Sequence, residues 1–413
     1  MTKIQLLTIS IAALLLTLPL PFAFNSVALV LLIVAVVLNY KDLKFKFNWT
    51  YFLLLALFFW SCLSVFWSYA PEISTKAIGK ILPMFIIPVI FSFIPMFNQK
   101  QRDSIFTLYA YGITAYMAVM LGFAFYNFLV TGSTHWFFYH DLVSLKVNAI
   151  YVSVFVAMAF IFLVIRSEKR PQDWACLVIL FVSLILLSSK NMVIVTFFVI
   201  GIYGLMNLRK LTNRKIIASL FVGALLLVSS GGYVYNRFQN ELRDVKENEI
   251  IENGIENISL YNAWHQAEFN RNSYFNGSSF RIYQLRLLFE LQKEYPIFWK
   301  GFGLNAAQDF LTQKQKKQDL DEYYWDLNFH NQYAQTTAEL GVLGLIILCL
   351  MVANSFYVAI RNRDFYALAF SILMASFFVT ESPLSRQRGI VFIMVFCCLL
   401  SQLNSTKLHS HPL

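Results

Sequence analysis

The sequence predicts an all-α, polytopic membrane protein with about twelve transmembrane helices and one large loop that carries helices of its own. Three observations predict it. Of the 413 residues, 58% are hydrophobic and only 14% are charged, too apolar for a soluble chain of this length. The apolar residues come in long runs without a charge, among them Leu6–Leu18, Val27–Leu38, Phe52–Phe66 and Ile216–Val228. A single polar stretch, residues 236–330, separates blocks of such runs.

At ~20 residues per crossing, the spans fall near 5–23, 25–40, 50–67, 76–96, 104–130, 147–165, 173–188, 191–208, 216–235, 332–359, 365–380 and 388–404. The chain thus divides into an N-terminal bundle at 1–235 (about nine spans), a large loop at 236–330 and a C-terminal bundle at 331–413 (about three spans). Met1–Phe24 has the look of a signal peptide, but Pro19 and Pro21 with a second apolar stretch directly behind predict a retained hairpin. Cys62, Cys176, Cys349, Cys397 and Cys398 all fall inside expected spans, without metal or redox spacing, so they read as packing residues with no disulfide.

Within the loop, Glu241–Glu256 reads as a polar surface helix with turns. Asn276-Gly277-Ser278-Ser279 reads as a turn and N-cap. The helix behind it, about Phe280 to Tyr295, sets Phe280, Tyr283, Leu287 and Leu291 on one stripe. Pro296 ends it, and Gly301-Phe302-Gly303 makes a tight turn.

Lys and Arg sort by side. With a cytoplasmic N-terminus, the inner connections hold most of them, and the short outer ones hold only Lys76, Lys80, Lys146, Lys190, Arg386 and Arg388. That bias places both termini in the cytoplasm and the long loop outside. The net charge of +10 is then topology, and nothing points to nucleic acid.

The outer cations fit two readings. Each can snorkel to the interface as an anchor, or several can converge on an anion. Arg281 stands in the first turn of the loop helix, where the helix dipole opposes a cation. A bound anion explains it, and so does a loop carboxylate such as Glu268. His330 lies where the loop meets the membrane; as a lone histidine it also fits a structural role. It has no metal-ligand spacing with His135, His140 or His265, so no metal or other cofactor is expected. Glu339, nine residues on, faces nearly the opposite way on a continuous helix, together with Gln332 and Gln335. Gly341 and Gly344 read as close-packing positions.

His330-Asn331, followed by Glu339-Leu340-Gly341 and Gly344, resembles the signature of the O-antigen ligase/polymerase superfamily. Other pieces agree in order: Leu63-Ser64-Val65-Phe66-Trp67-Ser68 with Pro71; Leu186-Leu187-Ser188-Ser189-Lys190, where the family usually has arginine in place of Lys190; Ser279-Phe280-Arg281 with Pro296 and Gly301-Phe302-Gly303; and Thr380-Glu381-Ser382 with Arg386 and Gly389. The resemblance implies a membrane glycosyltransferase of the bacterial inner membrane that moves a glycan from undecaprenyl diphosphate to an acceptor hydroxyl at the periplasmic face, without a metal and with inversion. By that resemblance His330 acts at the acceptor and Arg281 and Lys190 grip the diphosphate. Lys80, Arg386 and Arg388 support them, with Asn331 and Glu339 behind. The implied acceptor is lipid A-core. A growing glycan (repeat-unit polymerase) and a protein (O-oligosaccharyltransferase) are the alternatives. A lipid-linked sugar transporter is the competing class; it calls for internal repeats and mid-membrane charges, and neither is visible.

Overall fold

The computed structural model describes residues 3–143, 147–207, 249–250 and 254–402. The expected span at 216–235, most of Glu241–Glu256, Lys146 and the tail after Gln402 lie outside the described residues. Among the described residues, four helices are long and apolar enough to cross a membrane: Trp49–Trp67, Pro71–Phe93, Gln99–Thr131 and Gln332–Arg361. Seven shorter apolar helices accompany them: Lys3–Leu16, Phe22–Leu38, Ala149–Ile165, Pro171–Leu186, Lys190–Met206, Phe365–Thr380 and Gln387–Ser401. Each expected span within the described residues overlaps one of these.

Two of the shorter helices form the centre. Ala149–Ile165 and Gln387–Ser401 are apolar nearly all round and are buried along almost their whole lengths, as a helix without a polar face must be. The first hairpin packs into this bundle. Gln387 Nε2 donates to Ser26 Oγ at 3.0 Å, and an Arg388 nitrogen donates to Leu20 O at 2.7 Å. At the end away from the large loop, Arg102–Asp364 (3.0 Å) and Arg166–Asp173 (3.4 Å) are ion pairs.

The loop has its own apolar core. Phe275, Phe280, Tyr283, Leu287, Leu291 and Phe302 are buried together with Ala334 and Ala338 of the Gln332–Arg361 helix. The stripe predicted on the loop helix is thus the face that packs. That helix runs Gly277–Glu294, and Asn276 Oδ1 caps it by accepting from the backbone N–H groups of Ser278 and Ser279. The loop is not purely helical. Three short strands form a sheet: Glu249–Ile250 lies antiparallel to Glu256–Ile258, which lies parallel to Ser273–Phe275. The part of Glu241–Glu256 that is described therefore contributes strand rather than the expected surface helix. Isolated propensity over a short polar stretch yields there to pairing with Ser273–Phe275.

The long helix Gln332–Arg361 is broken. Gly341 has φ 67° and ψ −170° inside it, so the close approach expected at Gly341 is to the loop backbone at Trp299 rather than to a neighbouring helix. The break frees backbone groups that lipid cannot satisfy, and the loop satisfies them. Phe302 N donates to Ala338 O, Gly303 N to Glu339 O, and Val342 N to Phe298 O, each at 2.8 Å. Trp60 Nε1 donates to Leu340 O at 3.1 Å. A Cβ on Gly341 would lie 2.2 Å from the Trp299 carbonyl carbon, and one on Gly301 would lie 2.3 Å from that of Glu339. Two backbones thus meet where side chains would hold them apart.

Gly341→Ala is expected to cost at least ~2 kcal/mol, because it combines a left-handed backbone with a backbone clash. Gly79→Ala, with nothing within 4 Å of the added carbon, should leave stability unchanged or slightly raised. Thermal unfolding of the two variants in detergent compares them, and equal midpoints would refute the account of the break.

Candidate functional site

The Ser64–Pro71 segment and the Gly301–Leu304 turn lock together first. Leu304 N donates to Ser64 Oγ at 2.9 Å, Tyr69 N to Phe302 O at 2.9 Å, and Ser74 Oγ to Leu304 O at 2.7 Å. Trp67 Nε1 donates to Lys300 O at 2.8 Å. Pieces far apart in sequence therefore form one scaffold at the loop end of the bundle. The Pro383–Ser385 turn joins it, since Leu384 N donates to Gln332 Oε1 at 2.8 Å.

His330 sits on this scaffold, immediately before the helix that Asn331 caps. Asn331 Oδ1 accepts from Ala334 N at 3.0 Å, while its amide donates to Val379 O at 3.2 Å. The His330 backbone is left-handed, φ 46°, a conformation that costs a non-glycine residue on the order of 1 kcal/mol. Such strain persists where surrounding structure over-determines it, often at working sites. Here Asn328 Oδ1 accepts from His330 N at 3.0 Å, and the helix cap fixes the next residue.

Among the described residues the imidazole has one carboxylate partner, and it is not Glu339. His330 Nδ1 lies 3.3 Å from Glu381 Oε1. The same oxygen lies 3.7 Å from an Arg281 terminal nitrogen. Glu381 is buried, with 6% of its side chain exposed, while Arg281 and His330 keep 27% and 23%. A carboxylate taken out of water is costly unless paired, and these two groups are its pairing. Arg281 does more. Its Nε donates to Thr380 O at 2.9 Å, and a terminal nitrogen donates to Gly277 O at 2.6 Å. With Asn331 on Val379 O, two C-terminal carbonyls of the Phe365–Thr380 helix gain donors. A guanidinium is also favoured electrostatically at that helix end. Arg281 therefore gains at the C-terminus of one helix what it loses at the N-terminus of its own, and its carboxylate partner is Glu381 rather than Glu268.

The other expected site residues sort around this triplet. Lys190 opens the Lys190–Met206 helix, directly before Asn191. The Asn191 amide donates to Ser376 O and to Thr380 Oγ1, both at 3.0 Å. That fixes Lys190 next to the helix end that Arg281 binds. Ser188, two residues earlier, is also left-handed, φ 52°. Arg386 is exposed just past the Pro383–Ser385 turn, five residues beyond Glu381. Lys80 lines a cleft with Asn305, Gln332, Thr336, Glu339 and Ser385. Glu339 is buried there and accepts from the Gln335 amide at 2.6 Å. Arg388 is placed differently: it is buried, donates to Leu20 O at 2.7 Å, and stacks 4.3 Å from the centre of the Phe22 ring. Those contacts leave it to the turn of the first hairpin rather than to an anion.

Glu381 is the residue that sequence reasoning left unassigned. Its signal was the ionisable residue of Thr380-Glu381-Ser382, directly behind an apolar run. The Tyr324 ring packs 5.2 Å from that of Phe280, which in turn lies 6.0 Å from the His330 ring. Burial pushes the Tyr324 phenol up to about 12, so it remains a neutral, rigid wall. Among the described residues no group of three or more His, Cys, Asp or Glu side chains has the arrangement to hold a metal ion.

The arrangement thus offers an oriented imidazole, a fixed guanidinium and further cations at one end of a membrane bundle. Residues 175–349 match the family model described as O-Antigen ligase. That segment contains Lys190, Arg281, His330, Asn331 and Glu339, and leaves Lys80, Glu381, Arg386 and Arg388 outside it. No curated protein matches the chain.

Proposed function

We propose that this chain, whose residues 175–349 match the O-Antigen ligase family model, is a member of that superfamily and transfers a glycan from undecaprenyl diphosphate to an acceptor hydroxyl. The reaction takes place at the periplasmic face of the bacterial inner membrane, in a protein of about twelve spans with both termini in the cytoplasm. The most fitting acceptor is lipid A-core. The observation that carries the reading is Glu381 Oε1 shared between His330 Nδ1 and Arg281.

The chemistry follows from that sharing. A sugar hydroxyl is a weak nucleophile until a base takes or orients its proton. Glu381 holds a proton on His330 Nδ1, which leaves Nε2 free to accept the hydroxyl proton. The hydroxyl oxygen then bonds to the anomeric carbon while the bond from that carbon to the diphosphate oxygen breaks, so configuration inverts. The electron pair leaves with the lipid diphosphate, whose charge is met by Arg281 and Lys190, with Lys80 and Arg386 in support. Fixed cations at a site of low dielectric lower such a barrier most. Lys190 keeps the charge but presents no guanidinium fork, so bidentate contact falls to Arg281. The scheme uses no metal, and chelators should leave transfer intact.

Deleting the gene and examining the glycans tests the reading. Accumulation of long lipid-linked chains with bare lipid A-core supports the ligase. Single repeat units mean a polymerase, and unchanged glycans reject both. Glu381→Gln tests the carrying observation. It should lower kcat for transfer between ~10- and ~10⁴-fold, as when a partner that orients a base is lost, with the protein still folded and inserted. Wild-type kcat in purified protein would remove Glu381 from the mechanism.

A further inference from the structure

The loop carries exposed aromatic side chains that glycan transfer does not use. Phe298 and Trp299 are 51% and 62% exposed, their rings 5.1 Å apart. Phe66, at the end of the Trp49–Trp67 span, is 87% exposed. Lys300 reaches over the Trp67 ring, 5.5 Å from its centre.

Three further facts fix where this segment lies. Phe298 O accepts from Val342 N, so the segment is bonded directly to the broken span. Beside it, Leu343 and Ile346 of that span are 38% and 48% exposed, and Phe59 and Leu63 of the other span are 51% and 46% exposed. The aromatic pair therefore continues the exposed apolar surface of two helices long and apolar enough to cross a membrane. The segment is also tied to the span before it: Lys300 O accepts from Trp67 Nε1, and Gly301 N donates to Ile297 O at 2.8 Å.

We infer that residues 298–300, with Phe66 and Trp67, form a wedge that enters the membrane interface on the side of the large loop and anchors the loop to lipid. Trp and Phe sit at the headgroup boundary, and Lys300 reaches back to the polar layer, the distribution seen in interfacial aromatic belts. The wedge is bonded to Val342 through Phe298, and the adjoining Phe302 and Gly303 are bonded to Ala338 and Glu339. It thereby sets the depth of the His330 end of that helix relative to the lipid surface, whatever reaction occurs there.

Photo-crosslinking in proteoliposomes with radiolabelled phosphatidylethanolamine tests the inference. A benzophenone amino acid replaces Trp299, with Ile346 as the lipid-facing reference. Arg271, 76% exposed and paired with an exposed Asp319, is the water-side reference. Lipid adducts from position 299 comparable to those from 346, and background from 271, are expected. Background from 299 with adducts from 346 overturns the wedge. A doubled-mass protein adduct from 299 also overturns it and makes the face a contact between copies. Quenching of native fluorescence by brominated lipid provides a check without the bulky group: Trp299→Phe should reduce the quenched fraction, and an unchanged fraction counts against the wedge.

Discussion

Replacing His330 with alanine should reduce glycan transfer by ~10² to ~10⁴-fold, the usual contribution of a positioned base, and abolish surface polysaccharide. The imidazole stands beside a buried carboxylate that a fixed guanidinium also approaches. The backbone complicates the reading, because φ at this position is 46°. His330→Asn separates the two effects. Asparagine adopts left-handed backbone more readily than other side chains, so this variant should fold at least as well as the alanine one and be just as inactive. Detergent-solubilised yield and thermal midpoint report folding, and in vitro transfer with a lipid-linked donor reports chemistry. Normal glycan from a folded His330→Asn protein would remove the imidazole from the mechanism.

Arg281→Lys should lose ~10- to ~100-fold in kcat/KM for the lipid-linked donor, about 1.4 to 2.7 kcal/mol of transition-state stabilisation. The guanidinium already donates to Thr380 O and Gly277 O and stands 3.7 Å from Glu381. Its planar set of five donors allows these contacts while others remain free to meet a phosphate. An ammonium has three donors on a flexible stem and cannot serve the helix end, the carboxylate and the ligand together. Arg281→Ala should fall further, since it also leaves the buried Glu381 with only His330. Full activity of the lysine variant would reject bidentate contact with the diphosphate and return Arg281 to a structural role.

Much of this site was legible before any coordinates. The N-cap at Asn276 and the buried stripe on the helix behind it were readable because both depend on local spacing. Arg281 stood out from its unfavourable place against a helix dipole, but its carboxylate neighbour is Glu381 rather than a loop carboxylate such as Glu268. Glu381 lies 51 residues beyond His330. Periodicity along one helix can reject Glu339 as a partner, but it cannot nominate a residue from the far end of another helix. The contacts of Arg388 with Leu20 and Phe22 were not legible either, because they join segments at opposite ends of the chain.

The sequence by itself determined which segments are apolar, where the polar loop interrupts them and which residues carry charge at the loop end, because burial in lipid acts on composition and on short-range period. Only the tertiary structure decided that the long span breaks at Gly341, that the Gly301 turn heals the break, and that one buried carboxylate joins His330 to Arg281. Those outcomes depend on backbone groups and charges that find partners on other elements well beyond the reach of local periodicity, and the requirement that each be satisfied out of water acts on the assembled bundle rather than on any one segment.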